Sequence, residues 1–326
     1  MVDFVKFTRS NISKLTSVRE GEYKVGQIIC SYEDLDQFDG KYVIIGVEES
    51  VGPRANLGFS GAENGFPSFL SRFLNIQSNR FFSGNEVLIY GVFKLDSIVD
   101  AIDEKRKLIS ELDSVLILHL ELIYNKGCIP ILIGGGHNNA YPLMKAFANV
   151  KGNSLNVINC DPHADYRLLE GRHSGNSFSY AKSEGVLNYY KVIGLHQSYN
   201  SEEMLLRMEA DGCDFTFFDD YLMGVASVDD DVEGFVLKNN GADFGLELDL
   251  DAIKGMPSSA YSFSGITVEE ARRYVARLSE EKEVVYLHLP EGAPKNDREE
   301  VIVGKTLAYL VTDFIKSNSK IDKIKC

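Results

Sequence analysis

Leu155-Asn-Val-Ile-Asn-Cys-Asp161-Pro-His163-Ala-Asp165-Tyr-Arg167 passes from an apolar run straight into a dense set of ligand-type side chains. The apolar part, Leu155 to Asn159, has the length and composition of a buried strand. Asp161, His163 and Asp165 are spaced by two, so an extended backbone aims all three to one side. Pro162 cannot donate a ladder hydrogen bond, which makes the segment a strand end opening into a loop. Read alone, the same residues also suit a polar loop whose acids cap the next helix.

Outward from this stretch the same alternation recurs. Further strands are expected at Tyr42 to Val47, Glu86 to Val92, Ile129 to Ile133, Lys191 to Ile193, Phe215 to Phe218, Phe244 to Leu250 and Val284 to Leu289. Amphipathic helical stretches separate them, such as Val99 to Asn125, which stops at Gly127. Another is opened by Thr267 with Glu270 three residues on, a capping-box spacing. Short apolar runs alternating with longer amphipathic ones give a parallel, doubly wound α/β sheet. No linker or repeat interrupts the pattern, so one domain is expected over residues 41–326, with residues 1–40 an extension packed on it. Ligands in such sheets collect outside the carboxyl ends of the strands.

Two more strand ends carry chemistry. Ile131-Leu-Ile-Gly-Gly-Gly-His137 turns sharply on three glycines and presents His137 as its first large side chain. The run Gly134 to Asn139 matches neither phosphate-loop pattern. Leu246-Glu-Leu-Asp249-Leu-Asp251 places Glu247, Asp249 and Asp251 on one side of a strand and its leucines on the other. Unpaired anions at the ends of interior strands are costly, so cations must be supplied. Two divalent ions balance four aspartates with neutral histidines. The oxygen-rich donor set favours two Mn²⁺ on hardness, although affinity alone ranks Mn²⁺ low.

The 34 basic and 48 acidic residues leave a net charge of −14, which argues against nucleic acid as a partner. No apolar run reaches the roughly 18–20 residues that span a bilayer, and Met1 to Lys14 lacks a signal-peptide core. A cytoplasmic protein without a membrane partner is expected. The five cysteines, Cys30, Cys128, Cys160, Cys213 and Cys326, are scattered and read as reduced thiols. Cys160, beside Asp161, reads as a small buried filler, with a thiolate ligand as the alternative. His119, His196 and His288 read as satisfied structural histidines.

Taken together these blocks resemble the ureohydrolases of the arginase, agmatinase and formimidoylglutamase kind. Gly134-Gly-Gly-His137 resembles that family's G-G-D-H, Asp161-Pro-His-Ala-Asp165 its D-A-H-x-D, Leu248-Asp-Leu-Asp251 its x-D-x-D, and Glu291-Gly-Ala-Pro294 its E-x-x-P. The resemblance is closest to formimidoylglutamase-like members, and it implies a three-layer α/β/α sandwich around a parallel sheet. It also implies that His137 and Asp165 hold one Mn²⁺ and His163 and Asp251 the other, with Asp161 and Asp249 bridging. Gly136 departs from the family's Asp, and Asn138 stands where Ser is common. Arg172-His173-Ser174-Gly175-Asn176-Ser177-Phe178 resembles the H-G-T-x-F or S-G-T-x-F segment, with Ser174 where arginases and agmatinases carry a proton-shuttling histidine.

The implied reaction is hydrolysis of a C–N bond in a small amidino or guanidino substrate. Paired ions lower the pKa of water from 15.7 toward about 7, which supplies hydroxide at neutral pH. Asp165, or less directly His173, carries the proton to the leaving nitrogen, and Glu291 holds the substrate's positive nitrogens. His173 as a plain loop residue is the competing view. Arg167, Arg172, Ser174 and Asn176, with Arg54 at the rim, are candidates for the rest of the substrate; the arginines serve equally well as surface ion pairs. The serine form points to N-formimidoyl-L-glutamate. The alternatives are urea release from a guanidino compound, a one-Zn²⁺ deacetylase-like hydrolase, and a decayed metal-binding regulatory protein. The family also implies a homo-oligomer.

Overall fold

A computed structural model describes residues 2–95 and 99–323; Cys326 lies outside the described residues. Among the described residues ten strands form one sheet: β1 Val2–Lys6, β2 Cys30–Ser31, β3 Tyr42–Glu48, β4 Val87–Leu95, β5 Ile129–Ile133, β6 Leu155–Cys160, β7 Leu187–Leu195, β8 Asp214–Phe217, β9 Phe244–Leu248 and β10 Val284–Leu289. Their order is β1-β4-β3-β5-β10-β9-β6-β7-β8, with β2 beside β4. Pairing is parallel throughout except for β1, which runs antiparallel to β4. The eight expected strands are β3 to β10, with ends shifted by a few residues. β1 and β2 arise from the stretch read as an extension, so its first residues add an edge to the sheet.

Helices cover both faces. Ile102–Asn125, Ala140–Lys151 and Ser177–Ser183 bury their apolar sides on one face; Gly65–Phe73, Val228–Asn239, Val268–Leu278 and Asp297–Lys323 cover the other. This three-layer α/β/α arrangement follows from alternation along each strand. In β6, Leu155 and Val157 join one core and Ile158 and Cys160 the opposite one. In β9, Phe244, Leu246 and Leu248 point into one core, which turns Glu247 to the other side. The capping box at Thr267 forms as expected: its backbone N–H donates to Glu270, whose own N–H donates to Thr267 Oγ1. Among the described residues, no helix is long and apolar enough to cross a membrane.

The order β5-β10-β9-β6 matters most, because it makes neighbours of four strand ends that are far apart in sequence. Glu247 lies in register with His288 across β9 and β10, and with Asn159 across β9 and β6. The residues just beyond these strands therefore open side by side at one edge of the sheet.

Candidate metal centre

His137, Asp161, Asp165 and Asp249 converge so that their ligand atoms lie within 4.8 Å of one another. His137 Nδ1 is 3.0 Å from a carboxylate oxygen of each of the three aspartates. His163 Nδ1 lies beside this group, 3.5 Å from Asp161 Oδ1 and 3.7 Å from Asp251 Oδ2. All six residues expected to hold metal are thus gathered at adjoining strand ends.

The local backbone fixes the aspartates. Asp161 Oδ1 accepts from His163 N–H at 2.7 Å, and Asp249 Oδ1 accepts from Asp251 N–H at 2.7 Å. One oxygen of each carboxylate thus closes a turn, and the other faces His137. Asp249 thereby caps the short helix Leu250–Ala252, whereas Asp161 closes a loop turn and caps no helix, the next one, Ser174–Asn176, being capped by His173.

These residues fit hard divalent ions. One ring nitrogen carries at most one proton, so it cannot satisfy three carboxylates at equal distance, and neither nitrogen of His137 has an aligned hydrogen-bond partner among the described residues. An octahedron with bonds of roughly 2.1 Å has edges of about 3 Å, matching the spacing around His137 Nδ1. Asp161 has one oxygen toward His137 and the other toward His163, the disposition of a bridging ligand. Cys160 takes no part: it is fully buried in the core on one face of the sheet, and burial raises its thiol pKa.

Electrostatics show what the cluster costs without cations. Burial raises the carboxyl pKa of Asp249, and the charges of Asp251 and Asp161 raise it further; Asp165 is raised by burial and Asp161, and Asp251 mainly by burial. Burial and Asp251 push Glu291 up to about 8. Burial alone would lower His163, but hydrogen bonding to Asp161 and the surrounding aspartates bring it to about 10. A carboxyl raised in the folded state leaves stability intact below its unfolded value and removes it as pH climbs through the folded one. The histidine acts in the same direction at higher pH, whereas lowered Asp161 and Glu247 lose their contribution only in acid. Metal-free protein should therefore melt at progressively lower temperature between about pH 5 and pH 8, while Mn²⁺-loaded protein varies little. Thermal melts with and without chelator check this, and a metal-free melting temperature that rises over that interval would refute it.

Above the cluster lies a cavity of about 520 Å³ lined by His163, Asp165, Asp249, Asp251 and Glu291, among others. Glu291 Oε1 accepts from His137 N–H at 2.7 Å, while Oε2 is buried without a hydrogen-bond partner among the described residues. Asp165 and Glu291 both occupy the left-handed backbone region, with φ of 46° and 65°. Strain of this kind persists where the surroundings fix the side chain. Arg167 and Ser174 also line the cavity. So does Arg207, which sequence reading did not single out because nothing in a helix pattern tells which cation faces a site. Its Nη1 donates to Tyr166 O.

Four other candidates are placed differently. Arg172 is buried, donating to Asp113 at 2.8 Å, to Asn176 Oδ1 at 2.7 Å and to Asn138 O at 2.8 Å, with Tyr141 and Tyr180 against its guanidinium. It braces the loop after His137 and does not reach the cavity lining. Asn176 spends its side chain on Arg172, His173 N–H, Leu168 O and Gly171 O. His173 is fully buried; Nδ1 accepts from Gly175 N–H, so Nε2 carries the proton and faces Glu170 at 3.1 Å. Burial lowers His173 to about 4. His173 itself is absent from the cavity lining, and its two nitrogens are engaged by Gly175 N–H and by Glu170, an arrangement that suits a structural role. Arg54 donates to Val99 O and lies outside the cavity lining.

Gly136 has a steric explanation. A Cβ there would lie 2.4 Å from Pro53 Cδ and 2.5 Å from Asn138 Oδ1, so no side chain fits. A carboxylate is nonetheless present: buried Glu49, just after β3, accepts from Gly136 N–H and from Gly52 N–H, each at 2.8 Å. Glu49 was missed in the sequence because it precedes no ligand motif.

Comparison with known proteins agrees with this geometry. The model of the arginase family matches residues 77–315. The chain belongs to the arginase family. Formimidoylglutamase of Staphylococcus aureus is 28% identical over 188 residues, which are 57% of this chain. The match spans only 60% of the length of these curated relatives. Among solved structures, Bacillus subtilis formimidoylglutamase superposes with a TM-score of 0.76 at 18% identity, covering 92% of this chain and 93% of that one. Trypanosoma cruzi formiminoglutamase with Mn²⁺ gives 0.72 at 19% identity, covering 90% and 98%. At such identities the likeness establishes the arginase fold alone.

Proposed function

We propose that this protein is a binuclear-metal hydrolase of linear amidines, with N-formimidoyl-L-glutamate its preferred substrate. The observation that carries this reading is Glu291, whose unpartnered buried Oε2 borders a cavity floored by clustered aspartates and histidines. A cationic, planar N–C–N group satisfies that oxygen and suits a carboxylate better than a neutral amide would. The family relationship and the formimidoylglutamase relatives support the same class.

His137 and Asp165 would hold one Mn²⁺, His163 and Asp251 the other, and Asp161 and Asp249 both. When bound, such ions supply Lewis acidity and bring the pKa of water to about 7. The protein does the rest. Glu291 accepts N–H from the amidinium and fixes its plane over the aspartates. A cationic substrate also favours the ionised form of Glu291. Asp165, held in its strained conformation at the cavity edge, is the group placed to pass a proton to the leaving nitrogen. Arg167 and Arg207 offer positive charge at the wall for a distal carboxylate. Ser174, at the cavity wall, leaves no imidazole at the position read as a shuttle, which supports an amidine over a guanidine.

Formamide and glutamate release from N-formimidoyl-L-glutamate and urea release from arginine and agmatine, assayed side by side with Mn²⁺-loaded protein, test the reading. Formamide release from the first with little urea from the others is expected. Turnover of none of them, in protein that retains its metal, would overturn it.

A further inference from the structure

The metal-facing nitrogen of His137 is Nδ1; behind the ring, a separate buried group stands at Nε2. Glu247 Oε2 lies 3.3 Å from His137 Nε2, beside it but off the line of a hydrogen bond, and 2.6 Å from His288 Nδ1. The other carboxylate oxygen accepts from the Tyr286 hydroxyl at 2.8 Å. Glu247, His288, Tyr286 and His137 are all fully buried, and His137, Glu247 and His288 form a second close cluster. Phe178 closes another side of the His137 ring, edge to face at 5.3 Å.

A buried carboxylate is expensive unless donors surround it, and here two are already committed to it. His288 approaches this carboxylate through Nδ1. The arrangement leaves Glu247 with unspent acceptor capacity on the side where His137 carries its second nitrogen. An imidazole that binds an ion through one nitrogen must carry its proton on the other, and a carboxylate there selects that tautomer and makes the ligating nitrogen more basic.

We infer that Glu247 is the positioning residue of the metal centre: held by Tyr286 and His288, it keeps the proton of His137 on Nε2 and so presents a bare Nδ1 to the aspartates. The inference rests on the metal-centre reading above and adds to it a residue that touches neither ion nor substrate.

Mn²⁺ affinity of the full-length protein, read from the electron paramagnetic resonance signal of free Mn²⁺, tests it, together with the melting temperature of the metal-free protein. Glu247→Gln keeps the shape and removes the charge, and should weaken binding at the His137 ion roughly 10–100-fold. Tyr286→Phe, which removes one hydroxyl, should weaken it by a smaller factor and decides the matter if Glu247→Gln does not fold. Mn²⁺ affinity unchanged within about twofold in every variant that folds would overturn the inference, as would a lowered metal-free melting temperature with affinity intact, the mark of a merely structural role. A wild-type protein that binds no Mn²⁺ would bring down the metal-centre reading and this one together; metal-binding wild type with an unaffected variant brings down this one alone.

Discussion

Asp249→Asn should abolish hydrolysis, lowering turnover by more than about a thousandfold, because it would strip a proposed shared ligand from the centre that would activate water. One oxygen of Asp249 is 3.0 Å from His137 Nδ1 and the other closes a turn with Asp251 N–H. Asparagine retains an acceptor for the turn but cannot neutralise a dication. The same substitution should act in the opposite direction on the metal-free protein. Asp249 is buried, and burial with the charges of Asp251 and Asp161 already disfavours its ionised form. Removing that charge leaves the empty cluster at least as stable as wild type. Metal analysis, turnover and melts in chelator separate the two effects. A variant that keeps both ions and most of its activity would contradict the bridging role.

Glu291→Gln should lower kcat/KM for the amidine substrate by about a hundredfold or more, with Mn²⁺ content unchanged. Glutamine can still accept from His137 N–H, so the loop after β5 keeps its anchor. It loses the negative charge at Oε2, the atom left without a partner. Burial and Asp251 push the carboxyl up to about 8 without metal, and cations bound beside it would favour its ionised form, so the charge lost in the variant is one the loaded enzyme carries. kcat/KM intact in the variant would remove Glu291 from substrate binding.

The parts of this molecule that sequence reading reached are those in which one chain segment states its own geometry. β6 and β9 announce themselves by apolar runs ending in acids spaced by two; alternation in the folded strand holds as far as Leu248, after which Asp249 caps a short helix that contains Asp251. The edge strand Val2–Lys6 was missed because it is only five residues long and its partner lies some ninety residues on, in β4. Glu247 was placed on the correct side, but nothing in a string of residues says that Tyr286 and His288 arrive beside it from the next strand. The cations on the loop after β6 fared worst. Arg167 faces the cavity and Arg172, five positions later, is sealed inside. A charged loop residue looks the same in sequence whether it meets solvent, substrate or a buried aspartate such as Asp113.

The position of β10 also orders events in time. Residues 284–289 are made late, yet they occupy the slot between β5 and β9. Until they insert, the strand leading to His137 and the strand leading to Asp249 have no common neighbour to hold them in register. A chain emerging from the ribosome can therefore shape the Asp161 loop early, but the pocket that gathers all of its acids comes into being only after β10 has been made.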